Sequence, residues 1–193
     1  MKSLNEYIQV YDTDLTSEFC EDLIHKFEIN PTRHEMVSNE KRPNFTQMNL
    51  TNYIYNTETY DNETWDGIHK TLQNAFLSCV KGYIEDTGST HGLPTRYALE
   101  EFRMKRYLDN GIDEFATHVD VLDYNSARRF LAFFLYLNDG FEGGETDFPN
   151  LGLTIRPKRG SILVFPPLWM FEHSGKPVTF GTKYIVGSYL HYI

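Results

Sequence analysis

Two histidines and one aspartate have the residue types and the spacing that a metal site needs. His118 and Asp120 are two residues apart in a stretch that is predicted to be a strand. Because side chains two residues apart project from the same face of a strand, an imidazole and a carboxylate there can converge on one ion. His173 lies on a later predicted strand and could supply a third ligand. A His-x-Asp pair alone is more often a surface pair, so this third ligand carries the interpretation.

Two histidines and one carboxylate leave three coordination positions open, an arrangement characteristic of non-haem iron(II) oxygenases. A closed zinc site would need a fourth protein ligand, and the available candidates, His191 and the cysteines, have no suggestive spacing. The remaining histidines also lack neighbours at ligand spacing, and we interpret them as surface or capping residues. They are His25, His34, His69, His91 and His191.

The elements that must position these residues are mostly strands. From about residue 96 onward, β-branched and aromatic runs are separated by glycine, proline or Asp-Gly signals, which predicts a β-rich C-terminal half. The predicted strands are 98–108, 116–122, 129–138, 145–148, 152–156, 161–165, 169–173, 178–180 and 183–192.

Two helices are predicted before these strands. Thr16 can cap a helix that runs to about Phe27, and an apolar stripe of helical period predicts a second helix from about residue 62 to Gly88. Between them, residues 29–61 favour only short strands or a long functional loop. Helices followed by many short strands indicate a mainly β (α+β) fold. The specific fold that we predict is a double-stranded β-helix, or jelly roll, with the N-terminal helices packed on one sheet.

Length and composition narrow the range of functions. A chain of 193 residues predicts one domain, with helical support over about 1–95 and a jelly-roll core over about 96–193. The net charge of −9 argues against a nucleic-acid partner, and no apolar run reaches the roughly 20 residues of a membrane span. The N-terminal residues lack the apolar stretch of a secretory signal, so we expect a cytoplasmic protein. The oligomeric state stays open.

The first predicted strand contains a short group of basic residues. Arg103, Lys105 and Arg106 are close in sequence, and we interpret them as one solvated strand face with no function of its own.

Four segments together resemble the prolyl 4-hydroxylase-like branch of the 2-oxoglutarate and iron(II) dependent oxygenases. They cover the chain from about residue 99 to the C-terminus, whereas residues 1–95 match only loosely. The segments are Lys105-Arg106-Tyr107 followed by Gly111, Phe115, His118 and Asp120; Tyr136-Leu137-Asn138-Asp139 with Phe141-Glu142-Gly143-Gly144-Glu145-Thr146-Asp147-Phe148; Pro157 to Phe165; and His173 with Pro177-Val178, Gly181 and Lys183.

The resemblance implies roles for individual residues. Iron(II) would be held by His118, Asp120 and His173, and the far carboxylate of 2-oxoglutarate by Lys183. Hydroxyl groups of Tyr107 and Tyr136 would assist that lysine, although an aromatic residue in the run around Tyr136 is as often simply core. Arg129 and Tyr189 are candidates for the wall that faces the substrate.

The resemblance also implies an activity. An enzyme of this kind uses O2, with ascorbate as a reductant, to hydroxylate an unactivated C–H bond while 2-oxoglutarate becomes succinate and CO2. Asp120 favours hydroxylation over halogenation, because related halogenases lack this carboxylate. A peptidyl proline is the leading substrate class, and residues 30–60 would govern its choice.

Three alternatives stay open at this point. The chain could hydroxylate a free amino acid or another small molecule. It could be a non-catalytic jelly-roll binding module, although such a module need not keep all of His118, Asp120, His173 and Lys183. It could also be a cupin-like metal isomerase, which would not require Lys183.

Overall fold

The computed structural model describes residues 2–39, 43–55 and 62–193. These residues contain three α-helices, which are α1 (Ser17–Glu28), α2 (Leu50–Tyr55) and α3 (Asn62–Thr87). The strands are β1 (Gln9–Asp12), β2 (Glu35–Ser38), β3 (Asn44–Asn49), β4 (Tyr97–Leu99), β5 (Arg103–Leu108), β6 (Phe115–His118), β7 (Arg129–Tyr136), β8 (Glu142–Gly143), β9 (Thr146–Phe148), β10 (Leu153–Ile155), β11 (Ser161–Phe165), β12 (His173–Gly175), β13 (Val178–Phe180) and β14 (Thr182–Tyr192).

The strands pair in antiparallel fashion into one large sheet, one small sheet and a separate two-stranded pair. The large sheet has the order β1-β11-β7-β14-β5-β3-β2, and β4 pairs with the end of β14. The small sheet has the order β10-β9-β12-β6, and β13 pairs with β8. This arrangement, together with the helices, confirms the predicted jelly roll.

Strand β7 shows how the large sheet separates two cores. Phe133 and Leu135 belong to the core that the sheet forms with the helices, whereas Phe134 and Tyr136 belong to the core between the two sheets. Since successive side chains point to opposite faces, a strand that is buried on both faces must be apolar throughout. The sequence of β7, RFLAFFLY, has this composition after its first residue, which is only partly buried.

Helix α1 begins where the sequence predicts. The Thr16 side chain accepts a hydrogen bond from the Phe19 backbone N–H, which is the usual N-cap contact. Cys20, Leu23 and Phe27 are buried on the face that packs on the large sheet. Both cysteines of the chain are buried free thiols.

The stretch between α1 and α3 contains more regular structure than expected. Strands β2 and β3 extend the edge of the large sheet, where β3 pairs with β5. Helix α2 follows β3 directly, and the Leu50 N–H donates to the Phe102 carbonyl. The parts of the predicted 29–61 loop at residues 40–42 and 56–61 lie outside the described residues.

Two of the predicted strands near the candidate metal ligands are wrong in their bounds or their type. The predicted strand 116–122 ends at His118, so Asp120 lies on the following turn. The predicted strand 169–173 is instead a 3-10 turn at Trp169–Phe171, closed by the Phe171 N–H donating to Leu168, and β12 starts only at His173. Aromatic residues after Pro166 and Pro167 resemble a strand in composition, but the chain turns there to reach the small sheet.

A third predicted strand, 98–108, is interrupted. Strand β4 ends at Leu99 and β5 begins at Arg103, because the intervening backbone bonds elsewhere. The Glu100 N–H donates to the Tyr189 carbonyl, and the Phe102 N–H donates to the Thr51 hydroxyl. Among the residues that the structure describes, no helix is both long and apolar enough to cross a membrane.

The packing of α3 against the sheet yields a stability prediction. Phe76 is fully buried, and its ring meets Phe102 and Phe133 at centroid distances of 5.1 and 5.6 Å. We expect Phe76→Ala to lower the free energy of unfolding by about 3–5 kcal/mol, because it leaves a cavity at this contact. Urea denaturation followed by circular dichroism measures this loss.

The matched control on the same helix is Lys81→Ala, since the Lys81 side chain is 86% exposed. This variant should change the free energy of unfolding by less than about 0.5 kcal/mol. Equal losses in the two variants would contradict the assignment of Phe76 to the core.

Candidate active site

The two candidate histidines lie directly opposite each other on paired strands. β6 and β12 are antiparallel neighbours, and their register places His173 against His118 with ring centroids 4.3 Å apart. Asp120 completes the group from the turn after β6. One ligand atom from each of the three side chains lies within 4.8 Å of the other two. The structure therefore brings together the three residues that the sequence singles out.

Backbone contacts orient both imidazoles. The Nδ1 atom of His118 lies 2.8 Å from the Ala116 carbonyl oxygen, and Nδ1 of His173 lies 3.0 Å from the Phe171 carbonyl oxygen. A carbonyl only accepts, so each Nδ1 carries the proton and donates, which leaves the Nε2 lone pair free. Both Nε2 atoms and Asp120 Oδ2 are buried without a hydrogen-bond partner within the described ranges.

The electrostatics keep these groups in the protonation states that a metal requires. Burial lowers the pKa of His173 to about 4, against the opposing charge of Asp120, so its imidazole is neutral. Burial alone would raise the pKa of Asp120, but the neighbouring side chains of His118 and His173 lower it to about 2. Metal ligands must be deprotonated, and both groups meet this condition.

Three further residues hold the turn that carries Asp120. The Tyr189 hydroxyl donates to Asp120 Oδ1 at 3.0 Å, and Arg129 Nη1 donates to the Asp120 carbonyl oxygen at 3.3 Å. Arg129 also binds the Glu100 carboxylate through Nε and Nη2, and its guanidinium lies 4.0 Å from the centroid of the Tyr189 ring. Sequence reasoning places Arg129 and Tyr189 only on the substrate wall and misses this contact with Asp120. Their contact with substrate stays a prediction.

Lys183 lies inside the jelly roll and lines a pocket together with His118 and His173. It is only 3% exposed, and its register partner across β14 and β5 is Tyr107, which is also buried. The ammonium donates to the Gly144 carbonyl oxygen and lies 5.5 and 5.7 Å from the ring centroids of Tyr107 and Tyr136. The Tyr136 hydroxyl is paired with the Thr146 hydroxyl at 2.8 Å. The structure thus groups the three predicted cosubstrate residues.

Lys105 is a pocket residue that the sequence analysis misses. The interpretation of Arg103, Lys105 and Arg106 as one solvated face is wrong, because alternation along β5 sends neighbours to opposite sides. Arg106 turns to the helix side and pairs with Glu28 at 2.9 Å, whereas Lys105 lines the same pocket as His118 and Lys183. The position of Lys105 two residues before inward-facing Tyr107 is the signal that identifies it.

The donor set suits iron(II) better than a closed zinc site. Across the described part of the chain, His118, Asp120 and His173 form the only cluster of three metal-binding side chains, so no fourth ligand completes it. His191 points instead to Glu100, with Nδ1 at 3.5 Å from the carboxylate oxygen. Three protein ligands with unpaired donor atoms fit an iron(II) ion that keeps open positions.

Comparison with known proteins agrees with this geometry. Residues 102–191 match the family described as the 2OG-Fe(II) oxygenase superfamily. A protein of Acanthamoeba polyphaga mimivirus named "Putative prolyl 4-hydroxylase" is 30% identical over 155 residues, which cover 67% of this chain and 63% of that protein. The chain therefore spans somewhat less than two thirds of the length of this relative.

Solved structures share the fold. The viral collagen prolyl hydroxylase vCPH of Paramecium Bursaria Chlorella virus-1, in its 2OG complex, superposes with a TM-score of 0.64 at 23% identity, covering 97% of this chain and 96% of the other. A prolyl hydroxylase from Trichoplax adhaerens, in complex with a hypoxia inducible factor peptide fragment, gives a TM-score of 0.68 at 15% identity, with coverages of 97% and 85%.

These matches define the class of protein that the chain resembles, namely the 2OG-Fe(II) oxygenases. Within that class, the chain is similar to a prolyl 4-hydroxylase.

The contact between Tyr189 and Asp120 yields a prediction about metal affinity. We expect Tyr189→Phe to weaken binding of Mn(II) or anaerobic Fe(II) by about tenfold, because the carboxylate loses the hydroxyl that orients it. Calorimetric titration of the metal-free protein measures the affinity.

Tyr192→Phe is the matched control, since Tyr192 is 49% exposed and lies on the same strand. Its metal affinity should equal that of the unaltered protein. Unchanged affinity in Tyr189→Phe would show that the hydroxyl does not orient the ligand.

Proposed function

We propose that this protein is an Fe(II) and 2-oxoglutarate dependent dioxygenase that hydroxylates an unactivated C–H bond, with a proline residue of a peptide as the leading substrate. The observation that carries the proposal is the combination of two features. One ligand atom from each of His118, Asp120 and His173 lies within 4.8 Å of the other two, and Lys183 lines the same pocket as the two histidines.

Each part of the site has a defined task under this proposal. His118, Asp120 and His173 would hold iron(II), and Lys183 would hold the far carboxylate of 2-oxoglutarate as a point charge. When bound, these groups and O2 supply the oxidation in which 2-oxoglutarate leaves as succinate and CO2 while a C–H bond becomes C–OH. A buried lysine needs an anionic partner, which 2-oxoglutarate provides.

The protein's own contribution is to orient the ligands and exclude water. Aromatic rings surround His173, with centroids of Phe165, Phe148 and Phe134 at 4.8, 5.7 and 5.9 Å. On the other side, the Phe115 ring stacks on His118 at 3.6 Å. This apolar lining keeps the imidazoles fixed and limits the access of solvent to the reacting centre.

The choice of a peptide rests on the relatives. The mimivirus protein is named for prolyl 4-hydroxylation, and the Trichoplax adhaerens structure contains a peptide fragment. A free amino acid or another small molecule is the competing substrate class. Mass spectrometry of proline peptides and metabolites incubated with the enzyme would separate them through a gain of one oxygen atom.

The activity itself is tested without knowledge of the substrate. Purified protein with Fe(II), 2-oxoglutarate, O2 and ascorbate should convert 2-oxoglutarate slowly to succinate, measured by liquid chromatography and mass spectrometry. His118→Ala should abolish this turnover, because it removes one metal ligand.

His91→Ala serves as the control, since His91 is exposed on a turn. The His91→Ala variant should form succinate at the same rate as the unaltered protein. The proposed activity would be refuted if the unaltered protein formed no succinate. It would also be refuted if the His118→Ala variant formed as much succinate as the unaltered protein.

The electrostatics of Lys183 predict how the affinity for 2-oxoglutarate depends on pH. Burial lowers the pKa of Lys183 to about 7, with Glu145 opposing the shift and Lys105 adding to it. A carboxylate binds the protonated amine, so above pH 7 binding must be accompanied by proton uptake. The affinity should then fall about tenfold per pH unit above 7 and level off below it.

Calorimetry of the metal-loaded protein between pH 6.5 and 8.5 measures this slope. Lys183→Arg should remove it, whatever the absolute affinity, because a guanidinium stays charged throughout this range. An identical slope in both proteins would assign the proton uptake to another group.

A further inference from the structure

A second lysine of the pocket is not accounted for by iron or by 2-oxoglutarate. Lys105 faces Ile185 across β5 and β14, two residues from the pair formed by Tyr107 and Lys183. It lines the pocket together with His118, His173 and Lys183. One cavity therefore contains two ammonium groups.

The two lysines occupy different depths. Along β5, the inward-facing positions become more buried from Arg103, which is exposed, through Lys105, which is partly exposed, to Tyr107, which is 4% exposed. Lys183 lies beside Tyr107 and is only 3% exposed. Lys105 is therefore the less buried of the two lysines and lies nearer the surface of the protein.

Aromatic rings hold the Lys105 ammonium beside the metal site. Its Nζ atom lies 4.8 Å from the centroid of Phe45 and 5.5 Å from that of Phe115, the same ring that stacks on His118. Within the described residues, the ammonium faces these two rings, and no carboxylate lies within salt-bridge distance of it. Nearby Arg129, in contrast, is paired with Glu100 at 2.8 Å.

Among the described residues, the charges of the loaded site leave Lys105 without a counterion. Under the proposed function, the two positive charges of iron(II) and the one of Lys183 are matched by Asp120 and by the two carboxylates of 2-oxoglutarate. The Lys105 ammonium then remains as one extra positive charge in a largely buried pocket. Burial lowers the pKa of Lys105 to about 8, with Asp120 opposing and Arg103 and Arg129 reinforcing the shift. An uncompensated charge in such surroundings is costly unless an anion pairs with it.

We propose that Lys105 is a specificity-determining residue that binds a carboxylate of the prime substrate close to the carbon that is hydroxylated. The inference rests on the proposed function and adds a substrate class to it, namely acidic substrates. The carboxylate has two sources, an acidic side chain next to the target residue of a peptide or the α-carboxylate of a terminal or free amino acid.

Two pairs of probes distinguish these sources. The first pair is Gly-Pro-Glu-amide and Gly-Pro-Gln-amide, which differ only in a side-chain carboxylate. The second pair is N-acetylproline and N-acetylproline amide, which differ only in the α-carboxylate. Binding is measured by calorimetry on protein loaded with Fe(II) and 2-oxoglutarate under argon, because turnover is then prevented by the absence of O2.

The unaltered protein should bind the acid at least about tenfold more tightly than the amide in one of the two pairs, as expected for a hydrogen bond between charged groups. Lys105→Met should reduce that ratio to within about twofold, and Lys105→Arg should retain most of it. The affinity of Lys105→Met for 2-oxoglutarate should stay within about threefold of the original value. Lys81→Met, on an exposed lysine, is the matched control and should change neither quantity.

Each other outcome overturns the inference. Equal affinities within both pairs, including a lack of measurable binding, would show that no carboxylate is recognised. An acid preference that persists in Lys105→Met would assign it to another residue, and a loss of 2-oxoglutarate affinity in this variant would make Lys105 a cosubstrate residue. Failure of the unaltered protein to bind metal and 2-oxoglutarate at all would instead refute the proposed function.

Discussion

The antiparallel pairing of β6 with β12 is the constraint on which the site depends. It sets His118 against His173, and the backbone carbonyls of Ala116 and Phe171 orient the two rings. Both Nε2 atoms lie near the Asp120 carboxylate, at 3.4 and 3.6 Å from its oxygens. Asp120 lies on a turn that Tyr189 and Arg129 hold in place. Three buried donor atoms without partners are costly to a folded protein. A bound cation would compensate this cost, which would couple the strand pairing to the chemistry of the site.

The large sheet makes this arrangement possible because it is covered on both sides. Its outer face packs against α1 and α3 through residues such as Phe76 and Phe133, which leaves the inner face free to carry a pocket. On that inner face, polar and charged groups replace apolar ones at a few positions of β5 and β14. Lys183 is the more buried of the two lysines and Lys105 the less buried, so the pocket has two positive groups at different depths. This polarity suits anionic ligands at both depths.

Much of the site could be predicted because its residues belong to local patterns. The His-x-Asp pair, the Gly-Gly-Glu-Thr turn and the lysine ten residues after His173 each lie within a short segment, and strand alternation places Phe134 and Tyr136 inside. Interruptions of the strands could not be predicted in this way. The break after Leu99 exists because Glu100 and Phe102 bond to Tyr189 and Thr51, which are distant in sequence. The 3-10 turn at Trp169–Phe171 is a second interruption, and it lies where the chain turns to reach the small sheet.

The sequence by itself determined the jelly-roll class, the two helices that cover it and the set of His118, Asp120, His173 and Lys183, because hydrophobic period and motif spacing are local properties. Only the tertiary structure decided which side chains share the pocket with that set. Lys105 and Arg106 are adjacent in a basic run, yet one faces the metal site and the other pairs with Glu28. Likewise, the contact of Tyr189 with Asp120 joins residues 69 positions apart. Such contacts depend on the register between distant strands, and no local pattern specifies that register.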